Sequence, residues 1–224
     1  MKRIIILGGE GNGGVFASCI EKHLAVSDKS NDIILEGYLN DYLKLGDLIG
    51  GYPVLGPLSD TKKFSEHEDF YFIWAIHPVG KGKTRESVYN ELNLPAEKFY
   101  SYVSPQASVS KSSKLDHGVF IMDNCYIGPR AEIGSNCFVM ANSVVGHDTS
   151  IGKCCHISAG ANISSYVRIG NFSDICIGAT ILENKKIGNF SVAGAGSMIV
   201  KDIGDNEVHF GNPGKFIRVA ASNT

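Results

Sequence analysis

Hydrophobic residues recur at every sixth position over almost half of the chain. Between residues 103 and 199, 16 of the 17 positions in this series are Val, Leu or Ile, and the remaining one is Ala. A helix repeats every 3.6 residues and a half-buried strand every two, so neither element alone explains a period of six. The pattern predicts a parallel β-helix built from hexapeptide repeats. The series is Val103, Val109, Leu115, Ile121, Ile127, Ile133, Val139, Val145, Ile151, Ile157, Ile163, Ile169, Ile175, Ile181, Ile187, Ala193 and Ile199.

A second series of small residues lies two positions before the first. Sixteen of its 17 members are small, and Lys185 is the exception. Each repeat is therefore predicted to direct one aliphatic and one small side chain into a narrow core. Glycine often follows the aliphatic residue, at positions 128, 134, 146, 152, 170, 188 and 194. We expect these glycines to form sharp corners that need unusual backbone dihedrals.

The first hundred residues follow a different pattern. Apolar runs predict strands over residues 3–7, 32–39 and 69–76 and a short edge strand over 51–56. Helical spacing is found over 15–24 and 83–92, and residues 99–103 lead into the repeats. This alternation predicts a small parallel α/β domain over residues 1–98, followed by a β-helix domain with a C-terminal tail over 99–224.

A glycine-rich turn joins the first predicted strand to the first predicted helix. Its Gly9-x-Gly11-x-x-Gly14 spacing matches the dinucleotide-binding fingerprint, in which backbone N–H groups and a helix N-terminus approach a phosphate. About 95 residues are few for a complete dinucleotide fold. A half-fold that binds one nucleotide or nucleotide sugar fits best, and NAD binding and a purely structural turn are the alternatives.

Composition excludes several functional classes. The chain has 224 residues with 21 basic and 23 acidic side chains, and its net charge of -2 predicts neither nucleic-acid nor membrane-surface binding. Its longest apolar runs are far shorter than the roughly 18–20 residues of a membrane span. The six cysteines form no Cys-x-x-Cys pair, so no metal site is expected. Cys125, Cys137 and Cys155 belong to the small series and are predicted to fill the core, which favours a reducing, cytoplasmic compartment.

Several segments follow one another in a characteristic order: residues 8–13, 39–41, 52–56, 75–76 and 146–148, His156, and the tail Gly211-Asn212-Pro213-Gly214-Lys215. Together they resemble the bacterial sugar N/O-acetyltransferases of the hexapeptide-repeat family. This family includes nucleotide-aminosugar N-acetyltransferases and sialic acid O-acetyltransferases, and the resemblance extends over essentially the whole chain. It implies a left-handed β-helix of 18 residues per coil and a homotrimer that uses acetyl-CoA in bacterial surface glycan or glycoprotein sugar biosynthesis.

His147 and Asp148 are the predicted catalytic residues. His147 comes two residues after the inward Val145, so its side chain is expected outside the core. Acyl transfer from a thioester needs a base near neutral pH to take a proton from the attacking amine or hydroxyl, and imidazole has a suitable unperturbed pKa. Asp148 could fix the tautomer of His147 and stabilise the imidazolium. The sequence around both residues matches the catalytic segment of the family.

The resemblance also assigns two sets of binding residues. Those expected at acetyl-CoA are His156, Ser165, Ile177 and Ala195, and Ser165 would offer its backbone N–H to the acetyl oxygen. Those expected at the nucleotide sugar are Glu10, Gly11, Asn12, Asn40, Asp41 and His77. The family usually has Ser-Gly-His in the first turn, Asp-Asp after the second strand and Gly in place of His77, so the sugar itself is not predicted. The loop around residues 31 and 32 also looks longer than is typical of the family.

The spacing of two histidines predicts how subunits would share a site. His147 and His156 are nine residues apart, which is half a coil of 18, so they should lie on different sides of the β-helix. A site that used both would have to lie between subunits, as in the family's trimer. The preferred function is N-acetylation of a nucleotide-linked aminosugar, with O-acetylation of a sugar or sialic acid hydroxyl as the alternative. A zinc hydratase, which needs two histidines close in sequence, and a non-catalytic nucleotide-sugar-binding scaffold are more distant alternatives.

Overall fold

The computed structural model describes residues 1–26 and 32–220, and residue contacts divide these into two compact units. The first comprises Met1–Ile76 and Val88–Ser101. The second comprises His77–Ser87 and the chain from Tyr102 onwards. Residue 31 of the predicted longer loop around residues 31 and 32 lies outside the described part. Within the described residues, no helix is long and apolar enough to cross a membrane.

The first unit is built on a five-stranded sheet with the order β3-β4-β2-β1-β5. Four strands are parallel, as predicted, because each apolar run is followed by a crossover to the next. The strand predicted over 51–56 was expected at the edge of the sheet, but it is internal. A further strand over residues 48–49, which the sequence did not predict, pairs with it antiparallel and forms the edge. The strands are β1 (Lys2–Leu7), β2 (Ile33–Leu39), β3 (Leu48–Ile49), β4 (Tyr52–Gly56) and β5 (Phe70–Trp74).

Among the described residues, two α-helices belong to the first unit and a third runs from the second unit into the first. The first helix begins inside the predicted glycine-rich turn. Helix α1 spans Asn12–Val26, α2 spans Thr61–Ser65 and α3 spans Gly82–Leu92. Short 3-10 turns cover Leu58–Asp60 and Ala96–Lys98. The core of this unit consists of large apolar side chains from the sheet and from the chain around α3, namely Ile5, Leu7, Leu39, Phe70, Phe72, Trp74, Leu92 and Phe99.

The second unit is the predicted β-helix, in which residues 18 apart along the chain pair in parallel strands. Tyr126 pairs with Val144 and Ile127 with Val145, and the same register repeats along the coils. Seventeen strands of two residues each form the coils: β6 (Tyr102–Val103), β7 (Ser108–Val109), β8 (Lys114–Leu115), β9 (Phe120–Ile121), β10 (Tyr126–Ile127), β11 (Glu132–Ile133), β12 (Phe138–Val139), β13 (Val144–Val145), β14 (Ser150–Ile151), β15 (His156–Ile157), β16 (Asn162–Ile163), β17 (Arg168–Ile169), β18 (Asp174–Ile175), β19 (Thr180–Ile181), β20 (Lys186–Ile187), β21 (Val192–Ala193) and β22 (Met198–Ile199). The left-handed β-helix following a small α/β domain confirms the predicted fold class.

The coils stack into three flat faces. Face 1 contains β7, β10, β13, β16, β19 and β22, and face 2 contains β8, β11, β14, β17 and β20. Face 3 contains β6, β9, β12, β15, β18 and β21, and it continues through β23 (Glu207–Phe210) to the antiparallel β24 (Lys215–Val219). Since each strand has one outward residue, these faces determine which side chains meet outside the core.

Most members of the two inward series form the core of the β-helix, as predicted, but Val103 at the start of the aliphatic series is 37% exposed. Side chains of the small series also donate hydrogen bonds. The sequence had predicted only that its cysteines pack in the core. The Cys137 thiol donates to the Gly152 carbonyl at 2.9 Å, and the Ser143 hydroxyl donates to the Ser158 carbonyl at 3.0 Å. Each bond reaches a carbonyl 15 residues further along, so it links neighbouring coils and satisfies a backbone acceptor. No disulfide joins any of the six cysteines, all of which lie in the described part of the chain.

The glycine that follows the aliphatic residue has a different role from the one predicted. None of these glycines has a positive φ, so the expected unusual dihedral is wrong. Positive φ occurs two residues later, for example at Asn136 and Asp148. A Cβ on Gly134 would instead lie 2.7 Å from the carbonyl carbon of Gly152. Glycine is needed here because the backbone of the next coil approaches too closely for a side chain.

This distinction predicts different outcomes for two glycine substitutions. Gly134→Ala should lower the free energy of unfolding by about 2 kcal/mol, because the added methyl overlaps the backbone of the next coil. Gly160→Asn should change it by less than about 1 kcal/mol, because Gly160 has a φ of 66° with open space around it and Asn142 already occupies an equivalent corner. Urea denaturation compares the two, and equal losses would contradict the close-approach explanation.

Candidate active site

His147 forms a hydrogen-bonded pair with Asp148 on the outside of the β-helix. Its Nδ1 lies 2.7 Å from Oδ2 of Asp148. A carboxylate can only accept, so Nδ1 carries the proton and donates it, and in the neutral imidazole the lone pair is then on Nε2. Nε2 has no partner among the residues that the structure describes, and the side chain is 45% exposed. The pair therefore presents an available base to the surface.

The coils explain why these groups meet. His147 follows β13 at the corner between faces 1 and 2, two residues after the buried Val145. Asp148 takes the left-handed conformation with a φ of 57°, which turns the chain into the next face. Tyr166, one coil further on, touches the imidazole edge-on with a ring separation of 5.1 Å. The backbone positions of His147 and Asp148 are thus fixed by the corner between faces 1 and 2.

The carboxylate of Asp148 has a second partner that sequence reasoning missed. Arg130 donates from Nε to Oδ1 and from Nη2 to Oδ2, both at 2.7 Å. Hydrogen bonds from Arg130 and then from His147 lower the pKa of Asp148 to about 2. Arg130 precedes Asp148 by 18 residues, so the period of the coil was the signal that could have found it.

The residues predicted for acetyl-CoA occupy two corners and one buried position. Ser165 is one coil beyond His147 at the same corner, and its N–H has no acceptor within the described chain. Ile177 and Ala195 are both exposed at the corner between faces 3 and 1, one coil apart. Face 1 separates the two corners. His156 lies on face 3, on a different side from His147, as the spacing predicts.

The side chain of His156 is buried among aromatic rings. It is 5% exposed and stacks on Phe138 at a ring separation of 5.4 Å. His77, which was predicted to bind the nucleotide sugar, is also buried, and the centre of its ring lies 5.5 Å from the centre of the His156 ring. The structure thus brings together two residues that the resemblance assigned to different ligands. Burial, and then the charge of Arg85, lower the pKa of His156 to about 4.

The buried imidazole of His156 predicts a loss of stability in acid. The unfolded chain accepts this proton near pH 6.5, whereas the folded protein resists it until about pH 4. The unfolded state therefore binds more protons between these values, and stability should fall by up to about 3 kcal/mol as the pH is lowered through that window.

Unfolding measured from pH 7 to pH 4 tests this expectation. His156→Phe preserves the stacking on Phe138 and should flatten the pH dependence. His117→Gln changes an exposed histidine and serves as the control that should leave the slope intact. A His156→Phe protein with the wild-type slope would refute the assignment.

A buried ion pair joins the segment of residues 77–87 to face 3. Nη1 of Arg85 lies 2.7 Å from Oδ1 of Asp174, and both side chains are essentially inaccessible to solvent. Arg85 also donates to the carbonyls of Pro78 and Phe172, while the Gly80 N–H donates to the Asp174 carboxylate at 2.8 Å. Burial raises the pKa of Asp174, and Arg85 and Gly80 oppose that rise. This pair fixes the segment that covers His156.

The predicted nucleotide-sugar residues of the first unit meet at the carboxyl ends of β1 and β2. Leu7 pairs with Leu39 there, so the turn containing Glu10, Gly11 and Asn12 faces Asn40 and Asp41. A Cβ on Gly9 would lie 2.3 Å from the Asn40 amide nitrogen, whereas Gly11 has open space around it. This edge, beside the N-terminus of α1, is where parallel α/β sheets bind phosphate-bearing ligands.

The side chains of Asn40 and Asp41 are partly committed to local structure. Oδ1 of Asn40 accepts from the N–H groups of Tyr42 and Leu43 at 2.8 and 2.9 Å. Oδ1 of Asp41 accepts from the Leu58 N–H at 2.7 Å. Both carboxamide and carboxylate therefore order the loop around the turn. Among the described residues, no three His, Cys, Asp or Glu side chains are grouped to hold a metal ion.

Comparisons with known proteins agree with this architecture. A family model described as bacterial transferase hexapeptide (six repeats) matches residues 112–147 and 130–165. The acetyltransferase domain of PglB from Neisseria gonorrhoeae, solved with acetyl coenzyme A, has 27% identity and a TM-score of 0.78, over 96% of this chain and 99% of that one. A sequence search of curated proteins finds no match.

Two further solved structures share the fold. A histidine-to-asparagine mutant of perosamine N-acetyltransferase from Caulobacter crescentus, in complex with CoA and GDP-perosamine, has 21% identity and a TM-score of 0.82, over 97% of this chain and 98% of that one. WeeI from Acinetobacter baumannii has 20% identity and a TM-score of 0.70, over 96% and 100%. The predicted resemblance to bacterial sugar acetyltransferases of the hexapeptide class is confirmed. The protein is an acyltransferase.

Proposed function

We propose that the protein transfers the acetyl group of acetyl-CoA to the amine of a nucleotide-linked aminosugar, with His147 as the general base. The observation that carries this proposal is the His147–Asp148 pair, which leaves Nε2 exposed and able to accept a proton. The similar structures add support, since one was solved with acetyl coenzyme A and another with CoA and GDP-perosamine. A soluble cytoplasmic enzyme of surface-sugar biosynthesis is the setting that we propose.

The proposed reaction is a direct transfer. The amine nitrogen attacks the thioester carbon while Nε2 of His147 takes the amine proton. The resulting tetrahedral intermediate collapses, the carbon–sulfur bond breaks, and the imidazolium returns its proton to the leaving thiolate. Asp148 stabilises the positive charge on the imidazole in between.

Ser165 is proposed to stabilise the oxyanion of that intermediate. Its N–H lies at the same corner as His147 and has no acceptor in the described chain. A backbone donor aimed at developing charge needs no particular side chain, which accounts for a serine at this position. Ile177 and Ala195 are proposed to line the path of the pantetheine, where their exposed apolar surfaces suit a thioester arm. His156 would contribute through its backbone, because its imidazole is buried.

The nucleotide sugar is proposed to bind at the carboxyl ends of β1 and β2. Gly11 provides open space at the start of α1, where a diphosphate could approach the helix N-terminus. Glu10, Asn12, Asn40 and Asp41 surround this position and would contact the nucleoside. His77 keeps its proposed role in substrate binding only through the segment it anchors, since its ring faces Phe138 and His156.

A homotrimer with active sites between subunits is proposed as the working assembly. The outward residues of face 1 carry no charge, whereas those of face 2 include Lys114, Glu132, Arg168 and Lys186. A face without charged side chains suits contact with another copy. Light scattering should find trimers, and a fully active monomer would refute this assembly. The face 1 residues are Ser108, Tyr126, Val144, Asn162, Thr180 and Met198.

A substrate panel tests the function directly. Purified protein is mixed with acetyl-CoA and UDP-, GDP- or dTDP-linked aminosugars, and release of free thiol is followed. Each aminosugar is paired with the matching hydroxy sugar, which separates N-acetylation from O-acetylation. If only the hydroxy sugars are turned over, the acceptor is a hydroxyl and the enzyme is an O-acetyltransferase. Failure to bind acetyl-CoA in a thermal-shift assay would favour the scaffold alternative.

A further inference from the structure

We propose that Arg130 is a positioning residue for the reaction, which holds the carboxylate of Asp148 in the orientation that aligns His147. This role rests on the proposed function of His147 as the base. Arg130 itself lies one coil away from His147 and acts through Asp148. The proposed arrangement is thus a chain of three side chains, from guanidinium to carboxylate to imidazole.

The geometry of the contacts supports this role. The guanidinium of Arg130 binds both oxygens of Asp148 at 2.7 Å, which fixes the plane of the carboxylate as well as its position. Oδ2 of Asp148 is shared, because it also accepts from Nδ1 of His147 at 2.7 Å. A carboxylate held by two parallel bonds has little freedom to rotate away from the imidazole. The orientation of Nε2 is therefore determined from the preceding coil.

The fold places Arg130 and Asp148 at equivalent corners. Both residues have positive φ, 56° and 57°, which is uncommon for side chains that are not Gly or Asn. The matching conformations direct the two side chains outward from neighbouring coils at the same corner. Arg130 is further anchored by its N–H, which donates to the hydroxyl of Ser112 at 3.3 Å.

The charge of Arg130 has a second consequence for the base. A lone carboxylate beside an imidazole favours the imidazolium, which cannot accept a proton. Arg130 carries the opposite charge and binds the same carboxylate, so it offsets the field that Asp148 exerts on the imidazole. Tyr166 is the remaining titratable group in contact with His147. The two parallel hydrogen bonds from Arg130 therefore orient the base, and the positive charge of Arg130 opposes the negative charge of Asp148.

Arg130→Ala and Arg130→Lys separate orientation from charge. Arg130→Ala should lower kcat about tenfold with little change in either KM, because the imidazole is no longer held in line. The acidic limb of its kcat/KM profile should move to higher pH, because the charge of the Asp148 carboxylate is no longer offset by the guanidinium. Arg130→Lys keeps the charge but cannot bind both carboxylate oxygens in the same plane. The acidic limb of its kcat/KM profile should therefore stay near that of the wild type, while kcat remains low.

Two controls identify the route of the effect. Lys114→Ala removes another exposed ion pair between neighbouring coils, Lys114 with Glu132 at 2.6 Å, and should leave the kinetics unchanged. In an Asp148→Asn background, Arg130→Ala should cause less than about a twofold further loss, since the two residues act as one unit. A full tenfold loss in that background would show that Arg130 acts without Asp148 and would overturn the proposal.

A measurement that needs no turnover keeps this proposal separate from the proposed function. The NMR signal of the His147 ring is titrated in wild type and in Arg130→Ala, and the midpoint should be higher in the variant. Unchanged midpoints overturn the role of Arg130 even if the enzyme is active. A higher midpoint with unchanged kcat rejects positioning. A higher midpoint in a protein that turns over no sugar in the panel refutes the proposed function and leaves the contact between the three side chains established.

Discussion

Replacing His147 by alanine is expected to lower kcat about 10²–10⁴-fold, which is the usual contribution of a general base. The variant loses the group that accepts the amine proton. Neither neighbour at the same corner can take its place, since Tyr166 packs perpendicular to the imidazole and Asp148 is bound by Arg130. Acetyl-CoA should still bind, because its proposed contacts lie on Ser165, Ile177 and Ala195. The loss should therefore appear in kcat and leave the affinity for the cosubstrate intact.

Three measurements make this expectation specific. Steady-state kinetics of thiol release give kcat, and a thermal-shift titration with acetyl-CoA verifies binding. Added imidazole should restore part of the activity, because it can occupy the space that the side chain leaves. His117→Ala removes an exposed histidine from the same β-helix and serves as the matched control. Near-normal turnover of the His147 variant would reject its assignment as the base.

Removing Asp174 is expected to produce the largest loss of stability. Asp174→Ala leaves the fully buried guanidinium of Arg85 without its counter-charge, and breaking a buried pair in this way costs about 3–5 kcal/mol. The carbonyls of Pro78 and Phe172 still accept from Arg85, but they cannot neutralise it. We expect the segment of residues 77–87 to detach from face 3 and to expose His156.

A double variant tests whether the cost arises from the unpaired charge. Arg85→Met combined with Asp174→Leu removes both charges and should be more stable than Asp174→Ala alone. Lys114→Ala, which breaks an exposed pair between coils, should cost less than about 1 kcal/mol. Denaturant unfolding compares the three proteins. If the double variant is as unstable as Asp174→Ala, then packing in this region, and not the charge, explains the loss.

Most of the β-helix could be predicted from the sequence because its contacts repeat. Every coil places residues 18 apart in the same register, as in the pairing of Ile127 with Val145, so one aliphatic series was enough to find the core. The same repetition placed His147 outside it. The same period could also have predicted the neighbours of Asp148, since Arg130 and Tyr166 are each 18 residues away from it and lie at the same corner.

The glycine series shows where a pattern predicted the position correctly and the reason wrongly. Sequence reasoning associated glycine with unusual dihedrals, because that is its commonest use in a turn. The structure assigns positive φ to residues such as Asn136 and Asp148 instead. Glycine is required by the distance to the next coil, 2.7 Å from a Cβ on Gly134 to the backbone of Gly152, and such a distance exists only once the coils have stacked.

The sequence alone determined the β-helix, its faces and the exposed position of His147, because these follow from a short period that each repeat satisfies locally. Only the tertiary structure decided that His77 and Arg85 cover face 3, which buries His156 and pairs Asp174. Arg85 and Asp174 are 89 residues apart with no period between them, so no pattern could connect them. The bidentate contact from Arg130 to Asp148 was likewise decided by side-chain geometry, which a column of residues in a sequence does not specify.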